Sequence, residues 1–129
     1  MIVTDAKQGW SEKVNFTDKN DVFIGYDMEQ SCCEDAGYFF SKEPEDAYSY
    51  REEKGLNEEG LDLEGYIFDV NFFADVESSD LDEGEQVCFK LEKEGCEDIF
   101  LHLYNSHNGY YSHGFEAKIG GEVWKDGTL

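Results

Sequence analysis

The chain has 129 residues, 40% hydrophobic and 16% aromatic, which suits one domain with a packed core. It carries 31 acidic and 10 basic residues, a net charge of −21. That balance excludes direct binding to nucleic acid and to anionic membrane surfaces, because both need clustered Lys and Arg.

In chain order, Met1 to Lys7 lacks the basic patch and apolar run of a secretory leader, so a cytoplasmic protein is expected. Cys32, Cys33, Cys88 and Cys96 are then expected to be reduced thiols. Val14 and Phe16 alternate with Lys13, Asn15 and Thr17, and Val22, Ile24 and Tyr26 alternate with Phe23, Gly25 and Asp27. The turn formers Asp18-Lys19-Asn20-Asp21 lie between them, which predicts a hairpin. Gly37 to Ser41 reads as a third short strand.

Pro44 to Lys54 is the one helix the sequence predicts. Pro44 fits a first turn, Glu43, Glu45 and Asp46 sit near the positive end of its dipole, and Gly55 stops it. An acidic loop follows, from Asn57 to Glu64. Tyr66, Phe68, Val70 and Phe72 are expected to share one face of a long strand. It falls well short of the roughly 20 apolar residues of a membrane helix. Glu77 to Gly84 is polar and turn-like. Val87, Phe89 and Leu91, then Ile99, Leu101 and Leu103, read as paired strands about the turn Glu92 to Gly95. Asn108-Gly109 is a strong turn signal. Phe115, Ala117 and Ile119, then Gly120-Gly121, then Val123 and Trp124 form the clearest hairpin.

The fold class expected is mainly β: an antiparallel meander or sandwich of about seven or eight strands in a single acidic domain, residues 1–129, with one short helix. An α+β arrangement is the alternative reading, with the helix packed on the sheet.

The acids are unevenly spread. Segments 1–20, 21–64, 65–98 and 99–129 carry net charges of 0, −11, −9 and −1. A compact chain of this size is some 35–40 Å across, and a B-DNA duplex of that length holds about 20–24 charges. The charge therefore permits nucleic-acid mimicry.

Four candidate sites stand out. Cys32 and Cys33 lie in an acidic loop, but adjacent cysteines fit poorly around one tetrahedral zinc. His107 and His113 flank a turn and, with His102, are the only histidines. They lack a fixed nucleophile or orienting carboxylate. Asp80, Asp82, Glu83 and Glu85 surround Gly84, yet their spacing departs from a calcium loop. The fourth candidate is the acidic surface, as a face for a basic partner.

Two stretches carry a resemblance. Asp21 to Asp27 leading into Cys32-Cys33-Glu34, and Asn105 to Glu116 with its Asn108-Gly109-Tyr110-Tyr111-Ser112 element, resemble a group of small uncharacterised bacterial and phage proteins. The resemblance covers about a quarter of the chain and implies a bacterial or phage setting. By analogy with small proteins of that setting, it suggests an inhibitor or immunity protein.

The reading is a non-enzymatic protein that binds and inhibits a basic partner, such as a nuclease or another nucleic-acid-binding protein. The expected contacts are Glu45, Asp46, Tyr48, Tyr50, Glu52 and Glu53 on the helix, Glu58 and Glu59 after it, and Asp80, Asp82 and Glu83. Tyr48 and Tyr50 are the expected anchors, since Tyr is enriched at hot spots. No cofactor is expected. The alternative is a small-ligand or metal-binding β-domain, with or without hydrolytic activity, using Cys32, Cys33, His107 and His113.

Overall fold

The computed structural model describes residues 2–8, 11–28, 35–44, 55–56, 60–75, 85–106 and 114–129. These contain nine strands: β1 (Ile2–Gln8), β2 (Ser11–Thr17), β3 (Val22–Asp27), β4 (Asp35–Ser41), β5 (Ile67–Asp75), β6 (Glu85–Glu92), β7 (Ile99–Ser106), β8 (Gly114–Ile119) and β9 (Glu122–Thr128). They form two antiparallel sheets, ordered β1-β2-β3-β8-β9 and β4-β7-β6-β5. The chain leaves the first sheet after β3, builds the whole second sheet, and returns at β8. The mainly β, antiparallel class is as expected, and the arrangement is a sandwich. There is one strand more than the upper expectation, β1. The expected helix lies outside the described residues, apart from Pro44, which sits in a turn.

Three hairpins fall where turn chemistry put them. In the β2–β3 turn, Asp18 Oδ1 accepts from the backbone N–H of Asn20 and of Val22, at 2.9 and 3.0 Å. Asp21 adopts φ 62°, a left-handed position that Asp tolerates. Gly120 and Gly121 adopt φ 60° and 86°, as a tight two-residue hairpin loop requires.

Alternating residues of both sheets fill the space between them. Val14, Phe16, Ile24, Tyr26, Phe115 and Ala117 face Phe40, Val87, Phe89, Leu91, Leu101 and Leu103. Phe16 meets Tyr38 and Phe40 edge-on, with ring centroids 5.1 and 6.2 Å apart. Phe89 is the hub of the other half, touching Phe68, Phe73, Phe115 and Trp124. Each fully buried ring of this kind contributes about 1.5–3 kcal/mol.

β5 departs from the regular alternation expected for it. Phe68 pairs with Leu91 and Phe73 with Phe89, so four residues of β5 lie opposite one of β6, Lys90. This bulge brings Phe68 and Phe73 to the core together. Val70 is exposed, and Phe72 packs on Phe100 of the opposite face, centroids 5.5 Å apart. Tyr66, Phe68, Val70 and Phe72 therefore do not share one face.

β7 is buried on both sides. Ile99, Leu101 and Leu103 point into the core, while Phe100, His102 and Tyr104 point the other way and are also buried. Asp18 ties the sheets together, because its Oδ2 accepts from the Phe68 N–H of β5 at 2.8 Å.

Candidate functional site

Of the sequence candidates, Glu45, Asp46, Tyr48, Tyr50, Glu52, Glu53, Glu58, Glu59, Asp80, Asp82 and Glu83 lie outside the described residues. So do Cys32, Cys33, His107 and His113. The strand ends that flank these last four are described. Tyr26 pairs with Phe115 and Asp35 with Ser106, and the Tyr26 hydroxyl donates across the sandwich to Tyr104 O at 2.7 Å. The strand ends bordering 29–34 and 107–113 thus share one end of the sandwich.

The opposite end carries a concentration of carboxylates that strand pairing assembles from distant parts of the chain. The β2–β3 turn contributes Asp21. The approach to β5 contributes Asp62 and Glu64. The β6–β7 turn contributes Glu94, Glu97 and Asp98, and Glu43 follows β4; all of these are exposed. The exposed cations among them are Lys19 and Lys42. Lys42 reaches Glu97 at 3.2 Å, but with both side chains largely in water the pair contributes little. Lys90 is half-buried and shared between Asp69 at 3.8 Å and Asp98 at 3.6 Å. Lys93 lies over the Tyr66 ring, 5.9 Å from its centroid. The Tyr66 hydroxyl donates to Glu97 O at 3.0 Å. Burial, reinforced by Cys96, Glu97 and Asp98, raises its pKa above the usual phenol value, so the donor stays protonated.

Two open grooves cross this end and meet at Asp98. One, of about 470 Å³, runs between Lys19 and the Glu92–Glu94 turn. The other, of about 410 Å³, runs between Lys42, Pro44 and Phe100. Few of these acids stood out in sequence, because an exposed Glu in a turn looks like any other solvated acid. Their proximity comes from sheet pairing.

Of the three histidines, only His102 is described. Its Nε2 is 2.7 Å from Ser41 Oγ, which resembles a nucleophile beside its base. The remaining contacts exclude that role in this arrangement. Ser41 Oγ donates to Glu43 O at 2.8 Å, so it accepts from His102 Nε2–H. Gln86 Nε2 lies 3.0 Å from Nδ1 and donates to it. One proton arrangement therefore satisfies every contact, and it leaves His102 no lone pair to take a proton from Ser41. Phe39 stacks on the imidazole, centroids 4.5 Å apart and 10° from parallel. Burial pushes the His102 pKa down to about 4, against an opposing contribution from its contact with the Glu43 backbone. His102 is thus a neutral, satisfied part of a buried polar network.

Cys88, cross-strand from His102, is buried, and its thiol lies 3.8 Å from Phe89 O. Among the described residues, no group of three or more His, Cys, Asp or Glu is placed to hold a metal ion. No described helix is long and apolar enough to cross a membrane. No protein-family model, curated protein or solved structure matches the chain.

Proposed function

We propose that the protein is a non-enzymatic interaction protein that captures a basic macromolecular partner and inhibits it by covering its cationic face. The observation that carries this reading is the exposed carboxylate end, which combines Asp21, Asp62, Glu64, Glu94, Glu97 and Asp98 in a chain of net charge −21. A field of this sign accelerates encounter with a cationic surface and disfavours acidic competitors. A nuclease or other nucleic-acid-binding protein presents the matching surface, which an acidic body of duplex-like charge can occupy. A toxin-immunity protein or a phage anti-defence inhibitor fits this description, acting in the cytoplasm.

The test is complex formation with a panel of purified basic nucleases, including those encoded beside its gene, with polylysine as the unspecific control. A one-to-one complex that blocks cleavage, weakened in a Glu64→Gln, Glu94→Gln, Glu97→Gln, Asp98→Asn variant, supports the reading. Absence of any complex at low salt contradicts it.

The second reading is a small-ligand or metal-binding β-domain using Cys32, Cys33, His107 and His113. It is supported by the shared position of the strand ends that border both segments. Stoichiometric zinc by elemental analysis, lost in Cys33→Ser or His107→Ala, would favour it.

A further inference from the structure

The outer face of the five-stranded sheet differs in character from the acidic end. At its centre is Gly25, on the middle strand β3. A Cβ at Gly25 would stand 3.1 Å from the Phe23 ring and 3.2 Å from Asn15 Oδ1. The Phe23 ring therefore packs down on Gly25 and fills the space a side chain there would take. Phe23 is only half-buried, so part of the ring remains open to solvent.

Around this ring runs an open groove of about 530 Å³, crossing β2, β3 and β8. That volume lies within the usual range for small-molecule sites. Strand register builds its lining. Asn15, Gly25 and Glu116 form one row, and Thr17, Phe23 and Lys118 the next. Lys13 and Asp27 pair across the near end. Lys118 holds Glu116 at 2.9 Å and so fixes the orientation of that carboxylate.

The charged groups of the groove cancel, with Lys13 and Lys118 against Asp27 and Glu116. A polycation has no reason to choose this surface over the acidic end. A polyanion is repelled by the molecule as a whole. The matching occupant is uncharged, with one apolar face for the ring and a rim of groups that both donate and accept hydrogen bonds. A pyranose ring has that chemistry. Its C–H face stacks on an aromatic side chain, and its hydroxyls accept from ammonium and amide groups and donate to carboxylates.

We propose that the outer groove of the five-stranded sheet is a binding site for an uncharged saccharide. Phe23 lies beneath the sugar ring, and Lys13, Asn15, Asp27 and Glu116 hold its hydroxyls. This site is separate from the acidic end and does not depend on the function proposed above.

The test is ¹H–¹⁵N shift mapping on the full chain, titrated separately with glucose, galactose, N-acetylglucosamine, maltotriose, cellotriose and chitotriose. The expected result is saturable, millimolar binding of at least one sugar, with shifts confined to amides 13–15, 23–27 and 114–118. Phe23→Leu should weaken it about tenfold, the loss of one stacking contact, while Phe23→Trp should preserve it. The Trp variant keeps a ring over Gly25, so retained binding there separates stacking from a general effect on the sheet. The four-site amide variant of the acidic end should bind the sugar unchanged. Absence of saturable shifts with every sugar, shifts centred elsewhere, or equal affinity in Phe23→Leu would overturn the proposal.

Discussion

Asp18 shows how much one side chain can decide. Its carboxylate accepts three backbone N–H groups, two in its own turn and one, from Phe68, in the other sheet. Asp18→Ala leaves these donors without their acceptor, and a loss of about 2–3 kcal/mol is expected. A lower urea midpoint with unchanged slope would show it. The local turn was legible in Asp18-Lys19-Asn20-Asp21. The contact with Phe68 was not, because fifty residues separate the partners. His102 makes a sharper prediction. Its folded pKa of about 4 lies below the ordinary 6.5, so the unfolded chain takes up the proton first as pH falls. The stability this neutral imidazole contributes is complete above about pH 6.5 and is lost progressively down to about pH 4, by about 3 kcal/mol. His102→Gln should be less stable at neutral pH, and its deficit relative to the parent should shrink across that window. Carboxylate titration is common to both proteins, so the difference between their stability–pH curves isolates the histidine. A constant difference would contradict the assignment.

At the scale of elements, the hairpins β2–β3, β6–β7 and β8–β9 were readable because alternation and turn residues lie next to each other in sequence. β1 was missed because IVTDAKQ places few apolar residues in register. The pairings β3–β8 and β4–β7 were not legible, since alternation assigns a face to a strand but no partner. In β5 the alternation itself misled, because a bulge follows the partner strand and leaves little trace in its own sequence. The two accounts of β5 predict opposite rankings. With the bulge, Phe73→Ala should cost at least about 2 kcal/mol and Val70→Ala no more than about 0.5 kcal/mol. Thermal unfolding of the two variants would decide between them. The polar network of Ser41, Gln86 and His102 is equally non-local, drawn from β4, β6 and β7, so no local pattern in the sequence marks it.

Across the whole molecule, the uneven charge of the sequence takes on a geometry. The near-neutral segments 1–20 and 99–129 supply most of the five-stranded sheet, whose outer groove balances its charges. The acidic middle supplies β4, β5 and β6 of the other sheet and the carboxylate-rich turns at one end. The sequence indicated how many acids there were and where they lay along the chain. It did not indicate Asp21, Glu64 and Asp98 as neighbours at one end, because their proximity depends on sandwich pairing. Self-repulsion from −21 charges should also make the fold salt-stabilised, with a melting temperature that rises as sodium chloride screens the surface.

Electrostatic capture is tested most directly by stopped-flow association with a basic nuclease from the panel across a salt series. The association rate constant should fall at least about tenfold from low to high salt. Association of the four-site amide variant should be slower at low salt, while its dissociation rate changes little. An association rate independent of salt, or unchanged in the variant, would contradict it.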